Sequence, residues 1–145
     1  MSFEAREAGN GADLRPGGPT IISVCVTCRL SGSDEVRRIG EIMDEALRPA
    51  MASEATGAVV RAVQCLGVCN RPVTVAVSAP NGYTFVFGGL DPSTGPEAIA
   101  QFVRLYRGAD YGFVPRPQRP ELLRSRLVAR IPATTWSPLD GRPPA

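Results

Sequence analysis

The strongest constraint on this chain is the placement of its four cysteines. They occur as Cys25-Val26-Thr27-Cys28 and as Cys65-Leu66-Gly67-Val68-Cys69, a C-x2-C and a C-x3-C that account for every thiol present. Each pair follows a run rich in β-branched residues: Thr20-Ile21-Ile22-Ser23-Val24 before the first, Ala58-Val59-Val60-Arg61-Ala62-Val63-Gln64 before the second. The fold must therefore end two strands in such a way that two cysteine loops can meet. Two close pairs on two loops supply four sulfur donors, a common metal-holding set in an intracellular protein. The 36 residues between the pairs have room for a helix and a strand, so the site can exist only once the fold does. A compact zinc knuckle has far less chain between its pairs, which weakens that reading without removing zinc.

The rest of the chain supplies the elements that such a site needs. Thr20 to Val26 reads as a buried strand, followed by a loop over Cys28 to Gly32. Ser33 is the expected N-cap of a helix with Asp34 and Glu35 in its first turn; Val36, Ile39, Met43, Ala46 and Leu47 form its apolar stripe, and Pro49 is expected to end it. Ala58 to Gln64 is the second strand and Pro72 to Ser78 the third. Pro80-Asn81-Gly82 signals a tight hairpin, because Asn-Gly tolerates positive φ, and leads into a fourth strand, Tyr83 to Phe87. Thr94-Gly95-Pro96-Glu97 opens a last helix as a capping box, with Ile99, Phe102, Val103 and Tyr106 on its apolar face and Gly108 closing it.

This order, β-α-β-β-β-α, requires a right-handed parallel crossover between the first two strands and an antiparallel hairpin between the last two. The expected fold class is α/β, a thioredoxin-like mixed sheet. Both cysteine pairs then leave the same edge of it. In such folds a proline in cis often precedes the third strand, and Pro72 stands at that point, although base rates favour an ordinary trans bond. The expected organisation is a flexible N-terminal arm over 1–18, a metal- or cluster-binding domain over 19–110 and a Pro/Arg-rich extension over 111–145. Pro115, Pro117, Pro120, Pro132, Pro138, Pro143 and Pro144 forbid a long helix in the extension, where only Glu121 to Ile131 has room for a short turn or strand.

Absences narrow the chemistry. The chain has no His and no Lys, which excludes Ser-His-Asp and Cys-His nucleophile pairs, His-containing zinc or Rieske sites, a Walker lysine and a Schiff-base lysine. Residues 1–110 carry 10 Arg against 12 acids, and 111–145 carry 6 Arg against 2 acids. That asymmetry is too mild for nucleic-acid binding, and no aromatic platform alternates with the arginines. No apolar run approaches the roughly 18–20 residues of a membrane span, and the first residues lack a signal-peptide core. A cytoplasmic location is expected, where thiols stay reduced and bind metal rather than pair as disulfides.

Three site chemistries compete. The first is a 2Fe–2S cluster on Cys25, Cys28, Cys65 and Cys69. The second is structural zinc, or a metal-trafficking module, on the same ligands. The third is a thiol–disulfide oxidoreductase using Cys25 and Cys28, for which the helix start is too distant to activate a thiol and the second pair has no use. Four thiolates, two sulfides and two ferric ions sum to −2. Arg29 and Arg71 flank the pairs and could offset that charge, their alternative being solvated loop residues, while Gly67 lets backbone N–H groups approach the sulfurs. In the extension, Arg116, Arg119, Arg124, Arg126 and Arg130 could dock a redox partner with an acidic face; alternatively Leu122, Leu123, Leu127, Val128 and Ile131 strap the segment across the sheet and leave the arginines solvated.

Cys65-Leu66-Gly67-Val68-Cys69-Asn70-Arg71-Pro72-Val73 resembles the second ligand pair of thioredoxin-like 2Fe–2S ferredoxins and of the related small iron–sulfur subunit of respiratory complex I. Their first pair is more widely spaced than the C-x2-C here. The chain looks closer still to a bacterial family of unknown function described only as predicted metal-binding. That pattern is carried by Val24 to Arg29, Cys65 to Arg71, Ala79 to Leu90, and Arg119-Pro120 through Ala129-Arg130-Ile131-Pro132, over residues 20 to about 133. The resemblance implies a one-electron carrier, not an enzyme by itself, that works with a redox partner and forms a homodimer. The closer family's neighbourhood among cobalamin-synthesis and cobalt-handling genes implies a reductive step on cobalt or a corrin as its destination.

Overall fold

The computed structural model describes residues 13–29, 38–53 and 57–134. Five strands form one mixed sheet: β1 (Thr20–Cys25), β2 (Ala58–Val63), β3 (Val75–Ser78), β4 (Thr84–Phe87) and β5 (Leu127–Ile131), in the order β2-β1-β3-β4-β5. Three helices accompany them, α1 (Ile39–Ser53), α2 (Gly95–Arg107) and the single turn α3 (Glu121–Arg124). The parallel pair is β1 with β2, joined through α1; every other pairing is antiparallel. This is the thioredoxin-like β-α-β-β-β-α outline, widened at one edge by β5.

Register explains the core. Ile22 faces Val77 and Val24 faces Val75 across β1 and β3; Val75 then faces Phe87 and Val77 faces Phe85 across β3 and β4. Directly opposed residues point to the same side of a sheet, so these six apolar side chains form one wall. Phe102 and Tyr106 of α2 meet Phe85 and Phe87 edge-on at centroid distances of 5.0 to 6.2 Å. Met43, Leu47 and Met51 of α1 join the same buried cluster. Each large side chain removed from water contributes about 1.5–3 kcal/mol, so this wall and its two helices hold the sheet together.

Three local expectations change. Pro49 lies inside α1, which continues to Ser53. Met51 is 3 % exposed, and burying it offsets a proline cost of about 3 kcal/mol that would otherwise stop the helix. The helix start differs too: Glu41 accepts the Arg38 backbone N–H at 3.1 Å, the return half of a capping box, whereas the expected cap Ser33 lies outside the described residues. At α2, Thr94 makes no side-chain cap hydrogen bond. The turn is shaped instead by Asp91, whose carboxylate accepts from the Ser93 N–H and hydroxyl and whose carbonyl accepts from the Gly95 N–H.

The Arg71–Pro72 peptide bond is trans, and the cis bond falls one residue later, between Pro72 and Val73. Val73 then exchanges two hydrogen bonds with Leu90, each 3.1 Å. The hairpin follows at Ala79 to Tyr83, where the Tyr106 hydroxyl donates to the Tyr83 carbonyl at 2.7 Å. Beyond α2 the chain makes two short 3-10 turns and α3 before β5 pairs with β4; no long helix occurs there among the described residues. Of the expected N-terminal arm, residues 1–12 lie outside the described residues, and at Leu14 the chain accepts the Tyr111 N–H. No helix among the described residues is long and apolar enough to cross a membrane.

Candidate metal centre

The parallel register of β1 on β2 sets Cys25 opposite Val63, so both cysteine loops begin at neighbouring strand ends. Several hydrogen bonds stitch the loops together. The Val26 N–H donates to the Val63 carbonyl at 3.0 Å, and the Thr27 hydroxyl donates to the Gln64 carbonyl. Cys25 Sγ lies 3.4 Å from the Thr27 hydroxyl and 3.7 Å from the Gln64 carbonyl. On the other side, the Cys25 N–H donates to Thr74 O at 3.1 Å, which ties the end of β1 to the approach to β3. From below, the Gly40 N–H donates to the Cys28 carbonyl at 3.2 Å, bringing the start of α1 against the first pair.

The two pairs differ in setting. Cys25 and Cys28 are buried, at 3 % and 6 % exposure, whereas Cys65 and Cys69 are exposed. Burial alone raises the Cys25 thiol, but contacts with the Thr27 hydroxyl and the Cys28 thiol, and the Leu66 and Thr27 N–H groups, outweigh it and hold Cys25 below the usual thiol range. Burial also pushes Cys28 up to about 11; hydrogen bonds from Thr74 oppose the rise, and the neighbouring Cys25 adds to it. Cys69 is raised by its hydrogen bond to Cys65, by the charge of Cys65, by slight burial and by the charge of Cys25. Thus the Leu66 N–H of the second loop helps to lower the Cys25 thiol of the first, and Cys25 in turn raises Cys69.

Cys65 Sγ and Cys69 Sγ are 4.0 Å apart. Two thiolates on one tetrahedral metal with bonds of about 2.3 Å lie about 3.8 Å apart, so this pair fits one metal position. The Cys28 N–H donates to the Cys25 carbonyl at 3.4 Å, so Cys25 and Cys28 form a second pair within one tight turn. Among the described residues no three or more His, Cys, Asp or Glu side chains converge on a single ion. Among the described residues the thiols therefore stand as two pairs, neither joined by a third thiol or a carboxylate.

The flanking residues have specific places. Gly67 has φ of +84°, a conformation glycine adopts without strain, and its N–H donates to Cys65 Sγ at 3.2 Å. Arg29 is exposed beside the first pair. The Arg71 guanidinium donates to the Ser125 carbonyl at 3.5 Å, and the Arg71 carbonyl accepts the Gly89 N–H at 2.7 Å. Arg126 donates to the Gly89 carbonyl at 3.0 Å, so the second cysteine loop, the turn after β4 and the segment before β5 form one hydrogen-bonded seam.

Sequence reasoning passed over Thr27, Gln64, Thr74 and Gly40, all of which hold the centre. Gly40 carried a signal, being a glycine inside an apolar helical stripe, where close approach of another backbone is a common reason. A Cβ there would meet the Cys25 carbonyl oxygen and lie 2.9 Å from Val26 Cα. Thr27 carried a weaker one, as the polar residue between two cysteines. Thr74 and Gln64 carried none, since one acts at Cys25 and the other at Thr27 through backbone carbonyls.

Residues 22–133 match the model of a family described as a protein of unknown function, DUF1636. No curated protein and no solved structure matches the chain.

Proposed function

The chain belongs to the DUF1636 family of unknown function, and for it we propose a one-electron carrier whose 2Fe–2S cluster is held by Cys25, Cys28, Cys65 and Cys69. The observation that carries this reading is the register of β1 on β2, which starts both cysteine loops at adjacent strand ends. A binuclear cluster takes two thiolates at each iron, so it calls for two adjoining pairs. A single zinc ion calls for one knot of four sulfurs, each about 3.8 Å from the others. Cys25–Cys28 and Cys65–Cys69, which among the described residues make no single group of three or more donors, favour the first pattern.

When bound, the cluster supplies a one-electron couple whose potential depends on charge, burial and hydrogen bonds to sulfur. The Gly67 N–H on Cys65 and the Leu66 N–H on Cys25 offset negative charge at one thiolate of each pair. Thr27 and Gln64 hold the loops at fixed separation. The exposed pair lies on the side that a redox partner can approach, while the buried pair anchors the centre in the sheet.

Anaerobic purification followed by metal and sulfide analysis tests the proposal. The expected protein is red-brown with about two irons and about two sulfides per chain, the stoichiometry of this cluster class. A colourless protein with one tightly bound zinc per chain would overturn it in favour of a structural-zinc or metal-trafficking module. Metal-free protein with a readily reduced Cys25–Cys28 disulfide would overturn it in favour of thiol–disulfide exchange.

A further inference from the structure

Three arginines in the segment after α2 lie within one another's field, and no carboxylate among the described residues pairs with them. Arg119 is 3 % exposed, its Nε donates to the Val114 carbonyl at 3.0 Å, and its guanidinium carbon lies 5.7 Å from the centre of the Phe85 ring. Its two terminal nitrogens make no hydrogen bond or ion pair among the described residues. The charges that face it are those of Arg116 and Arg130, both on exposed residues. Arg130 lies over the Phe113 ring at 5.0 Å, and Tyr83 packs on both Phe113 and Phe85, at 5.2 and 6.0 Å. The ion pairs among the described residues, Asp13–Arg15 and Asp44–Arg48, involve none of the three.

A buried guanidinium with unused donors and two cationic neighbours carries a desolvation and repulsion cost that an anion relieves. Arginine forks meet carboxylate and phosphate oxygens in pairs of parallel hydrogen bonds, and aromatic faces beside them accept the less polar remainder of a ligand. We propose that Arg116, Arg119 and Arg130 form a binding site for a small oxyanion-bearing molecule, a phosphate ester or a carboxylate, walled by Phe113 and Tyr83. Arg119 supplies the buried guanidinium of the site, and Arg116 and Arg130 supply the exposed ones. Strands β3 and β4 stand between β1, which carries Cys25, and β5, which carries Arg130, so the site does not depend on the thiol centre.

Calorimetric titration of the full chain with inorganic phosphate, and separately with succinate, at constant ionic strength tests the proposal. At least one probe is expected to bind saturably, and the preferred one identifies the ligand's headgroup. Arg116→Gln combined with Arg130→Gln weakens that binding by about tenfold or more through loss of the charged forks, with the circular dichroism spectrum retained. Arg116→Gln alone, at an exposed turn, gives the same comparison should the double variant misfold. Arg48→Gln, which removes a positive charge from α1, leaves the affinity unchanged. No saturable heat with either probe, or equal affinity in parent and arginine variants, would overturn the site.

Discussion

Two residues show how finely the centre is held. Gly40→Ala adds a methyl group whose neighbours are all backbone atoms of Cys25 and Val26, none of which can swing aside. The helix-propensity gain of about 1 kcal/mol is smaller than an overpacking cost of about 1–3 kcal/mol, so net destabilisation is expected from denaturant midpoints. A more stable variant would mean that α1 does not press on the first cysteine loop. The four cysteines separate in the metal-free protein. Cys28→Ser places a hydroxyl in a buried position and should cost about 1–3 kcal/mol, whereas Cys65→Ser at an exposed position should stay within about 0.5 kcal/mol. Both should lose the added stability of the loaded form equally, because a ligand counts by its bond and not by its burial. Unequal losses on loading, measured as shifts in melting temperature, would remove one pair from the ligand set.

At the scale of elements, α1 is the one most at odds with its own sequence. Pro49 removes an N–H from the helical ladder, yet the stripe Met43, Leu47 and Met51 keeps the helix going against the core. Pro49 is exposed, so Pro49→Ala restores the ladder without disturbing packing and should stabilise the chain by about 1–3 kcal/mol. Unchanged or lower stability would show that the proline's restriction of the unfolded chain outweighs its cost in the helix. β5 is the opposite case, a short strand whose place depends on others. Phe87 pairs with Leu127 and Phe85 with Arg130, with an irregularity between Val86 and Phe87. Arg126 and Arg124 fasten its approach through the carbonyls of Gly89, Arg119 and Pro117.

For the whole molecule, the centre joins segments that are distant in the chain, so loading it should tighten them together. A site whose ligands come from separate loops adds its binding energy to folding. Amide exchange is therefore expected to slow on loading at residues 25–28 and 63–71. Exchange should also slow along the seam from Arg71 through Gly89 to Arg126, and least in the middle of β4, which the core already protects. Protection confined to 65–69 would restrict the centre to the second pair.

What the sequence by itself determined was set by local chemistry. β-Branched runs, an Asn-Gly turn and helical stripes marked four strands and two helices, and the two cysteine spacings marked the only thiols available. Two pairings also followed, a parallel crossover from β1 to β2 and an antiparallel hairpin from β3 to β4. What only the tertiary structure decided depended on partners far along the chain. Pro49 continues its helix because Met51 has a core to enter. Thr27 matters because the Gln64 carbonyl is opposite it. Arg71 and Arg119, alike in sequence as loop arginines, diverge: the first reaches the Ser125 carbonyl, and the second is buried over Phe85. An arginine's five donors are the same wherever it stands, so its role is set by the carbonyls and rings that folding brings within 3 to 6 Å.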